Sequence, residues 1–192
     1  MGTFVNVAVL NREEFDAIEF DAALTGDHKA AAERMTALAA TGIQSESMAR
    51  AEAFVRAGEQ WLLADNPSAA VKGFRMAIAD GGPVYVDPRA PLCRALFQLG
   101  SSDEADALIE TMRSEGRADP RACEMITELL IEQSDLTGAL DWATVGVELI
   151  LQGAGRADGP AYAGLNELLR LRYRIRNDLR LPEDEYDRML TA

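Results

Sequence analysis

The stretch Ala51 to Val84, AEAFVRAGEQWLLADNPSAAVKGFRMAIADGGPV, decides the fold. Phe54, Ala57, Gly58 and Trp61 recur at i, i+3, i+4 and i+7, the spacing that lays one apolar stripe along a helix. Asp65-Asn66-Pro67 breaks the stripe. Asn66 can accept from the unpaired amides of a new first turn, and Pro67 follows where no amide is needed. Ala70, Phe74 and Ala77 then carry a second stripe until Gly81-Gly82-Pro83 closes it. Helices joined by so short a turn lie antiparallel. Gly58 and Ala70 are small where each helix faces the other, so the backbones can approach closely, and the large rings fill the space on either side.

The same order of large and small residues recurs outside this window. From Val86 the equivalent set is Arg89, Leu92, Cys93, Leu96, Ala105, Ile109 and Met112; from Pro120 it is Cys123, Ile126, Thr127, Leu130, Ala139, Ala143 and Gly146. From Arg12 it is Phe15, Ile18, Glu19, Ala22, Ala31, Met35 and Leu38. Ala31, Ala70, Ala105 and Ala139 hold the same place in all four windows. Turn chemistry at Thr25-Gly26-Asp27, Gly100-Ser101-Ser102, Asp119-Pro120 and Gly153-Ala154-Gly155 separates the helices, with Asp87, Asp119 and Asp158 as further helix-start residues and Ser101 with Glu104 at capping-box spacing.

This pattern resembles the tetratricopeptide repeat, a helix-turn-helix unit of about 34 residues. The resemblance covers Arg12 to Gly153, with copies over about 12–45, 51–84, 86–119 and 120–153 and capping helices over 158–192. It implies an all-α fold: a right-handed superhelical stack of antiparallel helical hairpins, a TPR-like α-solenoid ending in a C-terminal capping helix, as one domain over 1–192. The first copy is worn, with Glu19 at a close-packing position, as terminal units that face water often are. Beyond Gly153 comes a long apolar and arginine-rich helix, about Pro160 to Leu179. Pro182 and the acids after it are expected to open a short last helix. This tail is similar to segments of bacterial repeat proteins that carry a metal-binding SEC-C motif. That cysteine-rich motif is absent, so no metal site follows.

Thirty-two acidic against nineteen basic residues give a formal charge of -13, which repels a phosphate backbone and argues against a nucleic-acid partner. Phe4 to Leu10 is interrupted by Asn6 and too short to span a bilayer, so no membrane role and a cytoplasmic location are expected. Cys93 and Cys123 form no metal-ligand spacing and are read as small apolar core residues.

No catalytic motif is present. The lone histidine, His28, follows Asp27 in a turn and is read as covering a helix start, so no enzyme, no cofactor and no metal are expected. In the family that the pattern resembles, ligands lie on the concave face formed by the first helix of each hairpin. The matching positions are Glu13, Asp16, Phe20 and Ala23; Glu52, Val55, Glu59 and Leu62; Asp87, Ala90, Arg94 and Phe97; and Arg121, Glu124, Glu128 and Ile131. The family's grip on a peptide carboxylate needs lysine and asparagine where this chain has Val55/Glu59, Ala90/Arg94 and Glu124/Glu128, so that ligand is not expected. Acids outnumber arginines on this face, with Phe20, Leu62, Phe97 and Ile131 between them. Charge complementarity therefore points to a basic, partly apolar peptide or protein. The plainer reading is a solvated face. A second functional reading is an oligomerisation scaffold, such as a homodimer, whose groove is filled by its own C-terminal helix or by another copy. Arg170, Arg172, Arg174 and Arg176 are read as capping-helix residues paired with the acidic repeats, or as an anion or partner site.

Overall fold

The local signals set the helix boundaries. In the computed structural model, which describes residues 9–116, 118–153 and 160–190 (the backbone alone for 160–163), Asn66 accepts from the Ala69 amide and Asp119 from the Ala122 amide, each with proline opening the helix behind it. The described residues form ten helices: α1 Arg12–Thr25, α2 His28–Thr41, α3 Arg50–Leu63, α4 Pro67–Asp80, α5 Arg89–Gln98, α6 Ser102–Glu115, α7 Pro120–Glu132, α8 Leu136–Gly153, α9 Pro160–Asp178 and α10 Glu185–Met189. The helix breaks fall at the expected turns around Gly26, Asn66, Gly81, Ser101 and Asp119. Asp158 and most of the Gly153-Ala154-Gly155 turn lie outside the described residues. Among the described residues the only strand-like pairing is one parallel bridge, Val9 with Ile43.

The helices group into two compact units, Met1–Leu108 and Ile109–Ala192, the division falling within α6. In the first, α1 to α5 pack successively on one another. The α3/α4 contact is as close as the sequence demands. A Cβ on Gly58 would lie 2.5 Å from Phe74 Cε1, and one on Gly73 would lie 3.4 Å from Gly58 Cα. Ala70, Phe74 and Ala77 are buried there. Trp61 departs from the expectation of a buried ring: it is half-buried, and its Nε1 donates to Thr36 Oγ1 on α2 at 3.0 Å.

Two bonds fix the relation of α1 to α3. Arg12 Nη2 donates to Glu52 Oε2 at 3.0 Å and Arg56 Nη2 to Asp16 Oδ1 at 2.6 Å, each joining residues 40 apart. Two equal offsets one helical turn apart mean that α1 and α3 run parallel and in register. Glu19 explains itself in the same place. Arg56 is buried, and its Nε donates to Glu19 Oε1 at 2.8 Å. Burial alone would favour loss of the Arg56 proton, but the hydrogen bonds to Glu19 and Asp16 outweigh it and hold the guanidinium charged.

In the second unit α7, α8 and α9 pack together around Ala143, Val147, Ile150, Leu165, Leu168 and Leu169, with Tyr186 and Leu190 laid against that cluster. The short last helix opens at Glu185, three residues after the expected Pro182. Asp184 caps it, accepting from the Tyr186 and Asp187 amides, while the Asp187 side chain accepts from the Asp184 amide. Pro182 is outside the helix, and its carbonyl accepts from Arg176.

Candidate functional site

Nine of the sixteen groove positions, Glu52, Val55, Glu59, Leu62, Arg94, Phe97, Glu124, Glu128 and Ile131, fall into different environments. In the first unit Val55 has no exposed surface, and Glu52 is 7% exposed and bonded to Arg12. Packing of α3 between α2 and α4 leaves neither side chain facing solvent. Glu59 is half-buried and accepts from the Tyr85 hydroxyl, which comes from the loop between α4 and α5. Leu62, Arg94 and Phe97 are half-buried. Much of the acidic charge expected to meet a ligand here is answered by Arg12, Arg56 and Tyr85 of the chain itself.

The second unit keeps an acidic face. Glu124 and Glu128 are one turn apart on α7, Glu128 exposed and Glu124 half-buried, with half-buried Ile131 following on the same helix. Glu167 on α9 joins them, since α9 packs against α7. Burial raises the Glu124 carboxyl above the usual glutamate range; the charges of Glu128 and Glu167 push the same way, and Arg121 opposes them. Glu124 is thus repelled by one carboxylate on its own helix and one on α9, with Arg121 partly offsetting them. Glu167 was not among the sequence candidates because it lies beyond the repeat windows. The offset of 40 that relates α1 to α3 also relates Pro120 to Pro160, the first residues of α7 and α9, and would have pointed to α9 as a further first helix.

The arginine cluster divides by helical face. Arg172 and Arg176 pair with the tail acids Asp184 and Asp187, where acids of the repeats were expected. The Arg172 fork meets Asp184, its Nε donates to Thr144 Oγ1 at 3.0 Å, and its guanidinium carbon lies 4.7 Å from the Tyr186 ring centre. Arg176 Nε donates to Asp187 Oδ2 at 3.0 Å. These two arginines pin α10 to α9 and are not an open anion site. Arg170 and Arg174 point to solvent, Arg170 lying 3.9 Å from Glu167.

His28 Nδ1 lies 2.9 Å from Gln60 Oε1, an acceptor, so Nδ1 carries the proton of that bond. Asp27 caps α2 by accepting from the Ala30 amide, and His28 instead ties α2 to α3. Burial pushes both cysteine thiols up to about 12, which leaves no thiolate at neutral pH. Among the described residues no group of three histidine, cysteine or carboxylate side chains could hold a metal ion, and no helix is long and apolar enough to cross a membrane. A small apolar pocket of about 60 Å³ beside Trp142 offers one charged group, Arg113, and no nucleophile.

No family model, no characterised protein and no solved structure matches this chain.

Proposed function

We propose that this chain is a non-enzymatic protein-binding scaffold of tetratricopeptide type, its hairpins stacked as a right-handed α-solenoid. Its ligand is a basic, partly apolar peptide or helix. The observation that supports this most is the cluster of Glu124, Glu128 and Glu167 on α7 and α9, where Glu124 resists ionisation because of burial and its acidic neighbours. A cation placed among them relieves both the repulsion and the poor solvation, and Ile131 offers apolar contact beside it. The cytoplasmic, bacterial setting belongs to the same proposal and rests on the likeness of the tail to segments of bacterial repeat proteins.

In this reading a fluorescence-anisotropy titration with a lysine-rich amphipathic peptide gives tight, salt-sensitive binding. The triple variant Glu124→Gln, Glu128→Gln, Glu167→Gln loses most of the salt dependence, because charge acts mainly on encounter. Equal binding of an acidic control peptide, or no loss in the triple variant, rules the reading out.

A self-filling scaffold is the second reading. It is favoured by the first unit, where Arg12 and Tyr85 engage the Glu52 and Glu59 that a ligand would have met.

A further inference from the structure

The pocket beside Trp142 is built by two short stripes of the second unit. Trp142, Val145 and Leu149 lie along one side of α8 at i, i+3 and i+7, and Met112, Arg113 and Gly116 line it from the end of α6, with Ala118 beside them. One water needs about 10–15 Å³ of such space, so a pocket of about 60 Å³ admits roughly four to six non-hydrogen atoms. Met112 is buried, whereas Val145 is 40% exposed, so solvent reaches that wall. The lining is otherwise apolar.

Only two of the lining side chains carry polar groups. The guanidinium of Arg113 lies 5.6 Å from the Trp142 ring centre, donates to Asp141 Oδ2 at 3.1 Å and has Glu110 Oε2 at 3.8 Å, so acids of the chain already balance its charge. The other group is the Trp142 indole. Trp142 is 2% exposed, and its Nε1 is buried without a hydrogen-bond partner. An indole N–H can only donate, and leaving a buried donor unmet is unfavourable. Buried tryptophans usually find an acceptor, as the half-buried Trp61 does in Thr36 Oγ1.

We infer that this pocket binds a small uncharged molecule with an apolar body and one hydrogen-bond acceptor, such as a ketone, which accepts from Trp142 Nε1. The body removes Met112, Val145 and Leu149 from water, and the acceptor answers the donor that the chain leaves unmet. A hydrocarbon of the same shape fills the space but not the bond. A carboxylate gains little, because Arg113 is already matched by Asp141 and Glu110. The Arg113 side chain, 38% exposed and laid over the ring, is the part of the wall that moves aside to let the acceptor reach Nε1. The site shares no residue with Glu124, Glu128 and Glu167, so it stands or falls apart from the function proposed above.

An NMR titration of the full chain tests this, read at the Met112 methyl group, which lines the pocket and is identified by its loss in Met112→Leu. Cyclopentanone shifts this methyl group saturably and binds about tenfold more tightly than cyclopentane, the difference one hydrogen bond supplies. Cyclopentanecarboxylate binds no better than the ketone. With cyclopentanone the indole N–H of Trp142 also moves downfield, while that of Trp61, already bonded to Thr36, stays in place. Trp142→Phe keeps an aromatic wall and removes the donor; ketone and hydrocarbon then bind alike, with circular dichroism confirming the fold. A Met112 methyl group that none of the three probes moves overturns the inference. So does equal binding of ketone and hydrocarbon in wild type, a ketone preference that survives Trp142→Phe, or tighter binding of the carboxylate than of the ketone.

Discussion

Arg172 and Asp184 face each other fork to fork, Nη1 donating to Oδ1 at 2.9 Å and Nη2 to Oδ2 at 2.6 Å. Such a pair fixes orientation as well as distance. It joins the middle of α9 to the cap of α10, which is too short to persist as a helix without tertiary contacts.

The pair makes the C-terminal end acid-sensitive. Hydrogen bonding to Arg172 lowers the Asp184 carboxyl to about 2 despite some burial. An unfolded aspartate titrates near 3.9, so the stabilisation is complete above about pH 4 and disappears as pH falls through 4 towards 2. Hydrogen exchange of residues 184–190 should accelerate over that window before the rest of the second unit opens. Arg172→Met should produce the same local opening at pH 7, with a loss of about 3 kcal/mol, the low end for removing one partner of a buried pair. Unchanged exchange in either experiment would show that packing of Tyr186 and Leu190 alone holds α10.

The crossing of α3 and α4 tolerates no added atom at Gly58. Gly58→Ala puts a methyl group within 2.5 Å of the buried Phe74 ring and should cost about 1 to 3 kcal/mol, with Gly58→Leu costing more. Phe74→Leu in the same chain should recover part of that loss, a coupling that denaturant titration of the double-mutant cycle measures. Trp61→Ala should cost less than Phe74→Ala, since Trp61 is half-buried and Phe74 fully buried. Additive losses at Gly58 and Phe74 would place the contact elsewhere.

Both thiols should be silent in the native state. With Cys93 and Cys123 buried and titrating near 12, a thiol reagent at pH 8 should label neither until the chain unfolds. Unfolded cysteine titrates near 8.5, so these groups favour the fold fully below that pH and lose their contribution as pH rises from 8.5 towards 12. Rapid labelling of either residue would contradict its burial.

The groove residues should fail in two ways once a basic peptide is bound. Glu128→Lys should slow association and weaken salt dependence, whereas Ile131→Ala should mainly speed dissociation. Lys72 and Arg75, exposed on α4, serve as controls whose substitution leaves both rates unchanged. Stopped-flow kinetics separates these effects, and equal losses from α4 and α7 variants would exclude a face-specific site.

What could be read from the sequence was local. Asn66-Pro67, Asp119-Pro120 and the apolar stripes mark helix starts and faces because their causes lie within one or two turns. A close crossing at Gly58 was also legible, since a small residue between large ones signals one, but not that Phe74 would fill it. The ion pairs were not. Arg56 with Asp16 and Glu19 joins residues from separate hairpins, and charge alone does not say which acid an arginine will find. The same blindness assigned Glu52 to solvent and the α9 arginines to the repeats, when Arg12 takes the first and Asp184 with Asp187 take Arg172 and Arg176. Pro182 was read as a helix opening because proline at a start is common, but Asp184 and Asp187 cap each other at a spacing that wins the position.

The function proposed here turns on whether the acidic face of α7 and α9 is poised for a cation, and carbon-detected NMR titration of the Glu124 side-chain carboxyl, identified with Glu124→Gln, measures that directly. In the free protein Glu124 should titrate above the usual glutamate range, because burial, Glu128 and Glu167 all disfavour its charge. Saturation with the lysine-rich peptide should bring its titration down, and by linkage binding should tighten as pH rises through the free-state value. A Glu124 titration that the bound peptide leaves unmoved would contradict the account.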